Sequence, residues 1–423
     1  MASQRKSHVF RVTGLSRELP DGELKTALQE ALNDNLTDDE RSHLKAEITI
    51  VPSCYVSDTE RAALVQFRGG VPQFLYELRV DPLGDWQVEV GDNDINFDCH
   101  FFGFTQLYAP DDNERVAADI IAIAGLDGHA YGSWQGRGNL GRMWLRDFLS
   151  KDLPQCRTMI YGYNSKLSSH GVDTILDYGR ELMEEIKKVR NTKELQQRPL
   201  IFIAHSFGGI IVAHCLVRAI QTMEEDHPAI TSLHRATYGM ILFAIPHKGL
   251  VMDDIQQIKS DLLIHQLADF KNLIRDRKVV SFYETEQTRQ LVLDSESGRW
   301  KRTGDFMATV GADSALLQLP DHVEDKVPLH ADHSMVVKFK TRNAAGYRTA
   351  VDKLRQFSKD ALSVVAARFT QTRPKPPPCS TMPFKKDPMF VGREAVISAI
   401  QEGHKAIGQR HERVALVGLA GVG

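Results

Sequence analysis

Residues 199–209 read Pro199-Leu-Ile-Phe-Ile-Ala-His-Ser206-Phe-Gly-Gly209. The apolar run Leu200–Ala204 predicts a buried strand, and Ile210, Ile211, His214, Leu216 and Val217 carry a helical spacing directly after it. A serine thus stands at the apex of a strand–turn–helix. So sharp a turn crowds the backbone and needs very small residues two before and two after the serine, here Ala204 and Gly208. Ser206 then sits at the carboxyl end of a central strand, over the N-terminus of the next helix. The competing reading is an ordinary corner whose serine caps the helix, and the motif alone leaves that choice open.

The flanking sequence favours the first reading. From Val116 onward the chain alternates helices with nearly continuous apolar strands, the pattern of a parallel sheet covered on both faces. We place strands at Asp119–Ala124, Thr158–Tyr163, Leu200–Ala204, Met240–Ile245 and Val279–Tyr283, and a helix at Ile175–Ile186. The amphipathic stretch Asp254–Phe270 falls where such folds insert a lid.

Acyl transfer to a serine needs a base, an acid to orient it, and donors for the oxyanion. In α/β-hydrolases nucleophile, acid and histidine follow in that chain order. One oxyanion donor is the amide after the nucleophile, Phe207. The other comes from the loop after an earlier strand, Gly125-Leu-Asp-Gly-His129, where Gly125 and Leu126 are the candidates. Of sixteen histidines, His333 in Asp332-His-Ser334 is best placed as base. His330 is its near neighbour. His247 precedes any plausible acid and is expected to shape the pocket. Glu284, ending its strand, is the candidate acid, with Glu286 and Asp313 as rivals.

Residues 1–108 read as a β-α-β-β-α-β unit, the ferredoxin-like arrangement also used by RNA-recognition motifs. Its strands are placed at Val9–Val12, Ile48–Val51, Ala63–Phe67 and Trp86–Val90, with helices over Leu24–Leu32 and around Phe74–Leu78. An extra strand, Ile95–Phe102, is expected to bridge into the hydrolase. The positions that would stack bases hold Arg11, Ala62 and Leu64, and residues 1–110 carry 10 Lys plus Arg against 18 Asp plus Glu. Neither feature suits nucleic acid, so a structural or protein-interaction module is expected. The fold class is therefore α/β: an α/β-hydrolase domain over 109–368, preceded by the ferredoxin-like domain.

A Pro-rich stretch, Arg373-Pro-Lys-Pro-Pro-Pro378, marks a stiff linker over 369–387. Beyond it, the strand Val414–Val417 enters Gly418-Leu-Ala-Gly-Val-Gly423. A P-loop is G-x-x-x-x-G-K-[ST], so Gly418, Gly421 and Gly423 read as one cut before its lysine. We expect 388–423 to be the start of an NTPase domain that would take ATP or GTP with Mg²⁺ in a longer form, and this chain not to bind nucleotide.

The 423-residue chain has 42% hydrophobic and 25% charged residues and a formal net charge of −3, giving no reason to expect non-specific binding to nucleic acid or anionic lipid. Five cysteines, without a C-x-x-C pair, argue against a disulfide framework or a zinc site. With no signal-like N-terminus and no membrane-spanning stretch, a cytoplasmic location is the default; peripheral membrane contact stays open.

Several motifs together carry a resemblance. They are A-G-L-D-G-H-A-Y-G-S-W at 124–134, W-L-R-D-F-L-S-K-D-L-P at 144–154, Y-G-Y at 161–163, A-H-S-F-G-G, A-I-P-H-K-G, S-F-Y-E-T and A-D-H-S. Over roughly 115–345 the chain resembles lipase-like α/β-hydrolases related to mitochondrial serine-active-site lipid-remodelling proteins and, more distantly, GPI inositol-deacylases. Ala124 stands where such proteins often have histidine, and Ala204 where they have glycine. F-V-G-R-E at 390–394, followed by V-A-L-V-G-L-A-G-V-G, is similar to the entry of an NB-ARC domain. In filamentous fungi such a hydrolase module often precedes an NB-ARC or NACHT domain in NOD-like (STAND) receptors. The resemblance implies a cofactor-free, metal-free serine hydrolase acting on a lipid or other ester, serving as effector of a nucleotide-controlled receptor that works as a homo-oligomer. The competing expectation is a signalling or interaction module that keeps the fold with little activity.

Overall fold

The computed structural model describes residues 8–16, 18–55, 60–90, 93–110, 115–166, 175–222, 227–248, 266–293, 300–307, 309–370 and 398. Residues 1–371 form one compact unit and 372–423 a second. The linker from residue 371, the NB-ARC-like start, Gly418, Gly421, Gly423 and most of the lid stretch lie outside the described residues.

The N-terminal layer is an antiparallel five-stranded sheet. Its strands are β1 (Val9–Ser16), β2 (Lys45–Pro52), β3 (Glu60–Arg68), β4 (Asp85–Val90) and β5 (Asn93–Asp98), in the order β2-β3-β1-β5-β4. Helix α1 (Asp21–Asn35) covers one face, burying Leu24, Leu28 and Leu32 at the spacing read from the sequence. The segment around Phe74–Leu78 is a 3₁₀ turn followed by one short helix rather than a single helix. One strand assignment changes. The neighbour of β1 is β5, not Trp86–Val90, which forms the outer arm of a hairpin. Burial explains the choice: Ile95 and Phe97 of β5 are 1% exposed, whereas Trp86 is only partly buried. The expected bridging strand is also split, because Phe101 takes φ +58° after β5.

Strand alternation gives this sheet two buried faces. Phe10, Val12, Ala63 and Val65 join the core beneath α1. Val9, Leu64 and Val51 join a core shared with the hydrolase, and Ala62 packs on it. The base-stacking positions of an RNA-recognition motif thus face the hydrolase. Buried Arg11 donates from Nε to Asp98 Oδ2 (2.7 Å) and from one terminal nitrogen to Phe102 O (2.8 Å) and Thr105 Oγ1 (3.0 Å).

The larger sheet holds β6 (Gly103–Gln106), β7 (Ala118–Ile123), β8 (Cys156–Gly162), β9 (Leu200–His205), β10 (Thr237–Phe243), β11 (Lys278–Glu284) and β14 (Glu324–Leu329). β12 (Thr288–Leu293) and β13 (Trp300–Met307) form a separate hairpin. The order is β14-β11-β10-β9-β7-β8-β6, parallel throughout except for β6, which runs antiparallel to β8. Two strands go beyond the sequence reading, β14 and β6, and β6 puts the start of this sheet inside the span expected for the N-terminal domain. Helices α2 (Ile175–Val189), α3 (Phe207–Gln221) and α4 (Pro228–Ala236) cover one face, and α5 (Ala345–Thr370) the other. β9 is buried along its whole length between β7 and β10. This is the doubly covered α/β-hydrolase sheet, with the strand carrying the serine at its centre.

Candidate active site

Ser206 is the residue between β9 and α3, with φ 51° and ψ −127°. A non-glycine residue held there costs about 1–3 kcal/mol. The surrounding burial offsets this, since one fully buried Ile, Leu or Phe contributes about 1.5–3 kcal/mol, and β9 alone buries Leu200, Ile201, Phe202 and Ile203. The Ser206 amide donates to Phe243 O at the end of β10 (3.0 Å), which fixes the turn against its neighbour strand. Gly208 is required by space: a Cβ there would collide with the carbonyl oxygens of Ile123 and Ala124. Gly125 meets the same limit from the other side, because its Cβ would lie 2.8 Å from Ser206 Cβ. The loop after β7 therefore passes directly over the serine.

His333 reaches Ser206 from the loop after β14. Its Nε2 is 3.0 Å from Ser206 Oγ and its Nδ1 is 3.1 Å from Glu284 Oε2. With the proton on Nδ1, the imidazole donates to the carboxylate and accepts from the hydroxyl. Glu284 Oε1 accepts the Val310 amide at 2.8 Å, so both oxygens of this 6%-exposed carboxylate are engaged. The parallel pairing of β11 with β14 continues past the strand ends, where Thr285 N–H donates to Leu329 O (3.1 Å) and Glu286 N–H to Ala331 O (3.4 Å). That pairing carries the histidine loop alongside Glu284.

Local bonds then set the histidine itself. Asp332 Oδ1 accepts the amides of Ser334 (2.8 Å) and Met335 (2.9 Å), and the Trp144 indole donates to Val337 O (2.9 Å). His205, the residue before the serine, donates from Nε2 to His333 O at 3.0 Å. His205, Asp332 and the Val310 amide were not singled out from sequence. The first two stand in the quoted motifs A-H-S-F-G-G and A-D-H-S; the third has no sequence signal, since any amide serves.

The rival candidates lie elsewhere. Glu286 is exposed, Asp313 pairs with Lys248 (2.5 Å), and His330 Nδ1 faces Thr285 Oγ1 (3.2 Å). His247 is 3% exposed and lines a cavity of about 10 Å³ with Ile210, Ala213, Gln266, Leu267 and Phe270. Burial, with a smaller effect from Lys271, pushes its pKa down to about 3, so it stays neutral. Phe207 opens α3, with its amide at the positive end of the helix. Gly125 and Leu126 head a tight loop in which Gly128 N–H donates to Gly125 O (3.1 Å) and Asp127 N–H to Ser165 O (2.7 Å). Cys54, Cys99, Cys156 and Cys215 are free thiols. Among the described residues no helix is long and apolar enough to cross a membrane.

Residues 122–275 match a protein family described as "Putative serine esterase (DUF676)". Curated relatives include Protein SERAC1 of Danio rerio, 23% identical over 277 residues, and that of Homo sapiens, 21% identical over 280 residues; each match covers 59% of this chain and 40% of the relative. The chain thus spans about 40% of the length of the curated relatives it matches. Similar solved structures include Bacillus licheniformis lipase BlEst2 in mature form, with TM-score 0.36, 13% identity and coverage of 60% of this chain and 97% of that one. Phospholipase PlaB from Legionella pneumophila has TM-score 0.38, 13% identity and coverage of 60% and 61%. By its own strand order the chain has an α/β-hydrolase fold, and over residues 122–275 it is similar to a family of serine esterases.

Proposed function

We propose that the protein is a serine ester hydrolase in which Ser206 is the nucleophile, His333 the general base and Glu284 the orienting acid. The observation that carries this reading is the hydrogen-bond chain Ser206 Oγ–His333 Nε2–His333 Nδ1–Glu284 Oε2, with steps of 3.0 and 3.1 Å across the ring. Ser206 Oγ attacks the ester carbonyl while its proton passes to His333 Nε2, and Glu284 stabilises the imidazolium. The oxyanion of the tetrahedral intermediate takes the Phe207 amide and the amide of Gly125 or Leu126. Collapse expels the alcohol, which receives the proton from His333. Water repeats the sequence and releases the acid, and no cofactor or metal enters any step. The substrate class is a lipid or other carboxylic ester.

A fluorophosphonate probe tests this without knowing the substrate. Labelling is expected on Ser206 alone and absent in Ser206→Ala. A folded protein that resists the probe would instead favour an interaction module that keeps the hydrolase fold.

The setting we propose is the effector of a cytoplasmic, nucleotide-controlled fungal receptor that acts as a homo-oligomer. Its support is the sequence F-V-G-R-E at 390–394 with V-A-L-V-G-L-A-G-V-G at 414–423. Calorimetry with ATP and Mg²⁺ on a form extended through a complete P-loop is expected to show binding, and on residues 1–423 none. The reverse result would remove the receptor reading and leave the hydrolase untouched.

A further inference from the structure

We infer that His129 is a positioning residue through which the N-terminal layer holds the oxyanion loop in place, an inference that rests on the hydrolase reading above. The loop begins at Gly125, over Ser206, and carries a strained residue, Asp127, at φ +54°. Ser165 secures its inner side: besides accepting the Asp127 amide, its hydroxyl donates to Gly128 O (2.5 Å). The outer side is secured by His129.

The bonds of the His129 ring fix its tautomer. Nδ1 accepts the amides of Tyr131 (3.1 Å) and Gly132 (2.9 Å), so it carries no proton. The proton therefore sits on Nε2, which donates to Cys99 O at 2.7 Å. Cys99 follows directly on β5 of the N-terminal sheet. One small ring thus closes the local turn with one nitrogen and grips the chain entering from the other layer with the other.

Aromatic packing runs alongside that grip. Phe101 stacks on Tyr131, with centroids 5.4 Å apart and planes at 26°, and meets the His129 ring edge-on at 5.6 Å. Phe101 and Tyr131 are 0% and 3% exposed. The segment carrying Cys99 and Phe101 is in turn held by Arg11 of β1, which bonds Asp98 and Phe102 O and lies 5.7 Å over the Phe101 ring. The contacts run unbroken from the middle of the N-terminal sheet to the loop above the serine. A loop whose amides must meet an oxyanion within a few tenths of an ångström gains from such a brace, because preorganised donors need not move as charge develops.

Two substitutions separate the two nitrogens. His129→Asn keeps an acceptor near the Nδ1 position for the local turn but cannot reach Cys99. His129→Gln keeps a donor near the Nε2 position but loses the local acceptor. In the full chain we measure the labelling rate with a fluorophosphonate, kcat and KM on a p-nitrophenyl ester of a short fatty acid, and amide exchange at Asp127 and Gly128. His129→Asn is expected to lower kcat and the labelling rate about tenfold with KM nearly unchanged and with faster exchange, a part of the hundredfold or more that a lost oxyanion donor costs. His129→Gln is expected to stay within about threefold of wild type. The opposite ranking, or wild-type values for both variants, overturns the inference while leaving a labelled Ser206 in place. If wild type shows neither labelling nor turnover, the hydrolase reading fails, and faster exchange in His129→Asn still upholds the brace while unchanged exchange overturns it.

Discussion

Two carboxylates are buried at opposite ends of the same sheet, and they are satisfied in different ways. Asp119, in β7 near its N-terminal end, is 0% exposed and receives both nitrogens of a bidentate Arg157 fork (2.8 Å each), a bond from Arg190 and a longer one from Arg198 (3.3 Å). Desolvation pushes its pKa up. The charges of Arg157, Arg190 and Arg198, with the Arg157 hydrogen bond, outweigh this and hold it below the usual carboxylate range. Glu284, at the carboxyl end of β11, is met among the described residues by the Val310 amide and the His333 imidazole. The difference is what each partner has left to offer. Arg190 and Arg198 turn their other bonds to the Gln196 and Arg198 carbonyls and to Glu194, whereas the imidazole on Glu284 presents its second nitrogen to a serine. Burial of a charge is therefore no mark of catalysis; a partner that passes its second nitrogen on to a serine hydroxyl is.

That contrast can be broken by experiment, and the largest expected effect is at the serine. Ser206→Ala is expected to lower ester hydrolysis on the order of 10⁵-fold with an unchanged melting temperature. Glu284→Gln keeps the shape but no longer favours the Nδ1 tautomer, and kcat is expected to fall roughly 10⁴-fold. A fall of less than about tenfold would show that Glu284 is a structural carboxylate like Asp119. Asp119→Asn is expected to do the reverse. It leaves arginine charge buried without its counter-ion and costs about 3–5 kcal/mol of stability in denaturant unfolding, while kcat per folded molecule stays within about twofold.

The smallest effect concerns pH. The pKa of His247 is about 3 in the fold, below the ordinary value near 6.5. The fold favours its neutral form, so this contribution is complete above about pH 6.5 and is lost as pH falls toward the folded value. Between pH 6.5 and 4 wild type is expected to lose about 3 kcal/mol at most more stability than His247→Gln, read from urea midpoints. Equal losses would mean that the ring is free to protonate in the fold.

What the sequence made legible was local. The elbow could be read because its constraints, an apolar run and small residues around Ser206, sit within ten residues of one another. The parallel strands could be read because burial on both faces leaves continuous runs such as Ile120–Ile123. β14 was not legible: Glu-Asp-Lys-Val-Pro-Leu at 324–329 opens with three charged residues and carries a proline, tolerated because it is an edge strand. In the hairpin of β4 and β5, both arms have strand-like residues, and only packing decides which lies against β1. Arg11 was read as a missing aromatic. Its partners Asp98, Phe102 and Thr105 are 87 to 94 residues away, and no local pattern announces such a bond.

The short strand β6 has a consequence for how this protein can be cut. It is the last strand on its side of the large sheet, bonded to β8 through residues 103–106, and the chain reaches it straight from the N-terminal layer. A piece starting at residue 109, where the strand and helix pattern of the sequence puts the boundary, would strip β8 of that cover. β8 is buried at every position, so the piece would present a long apolar edge with unpaired amides and carbonyls, the template on which chains stick to one another. Such a fragment is expected to come out insoluble. Its insolubility would report a missing selvedge, not a hydrolase unable to fold.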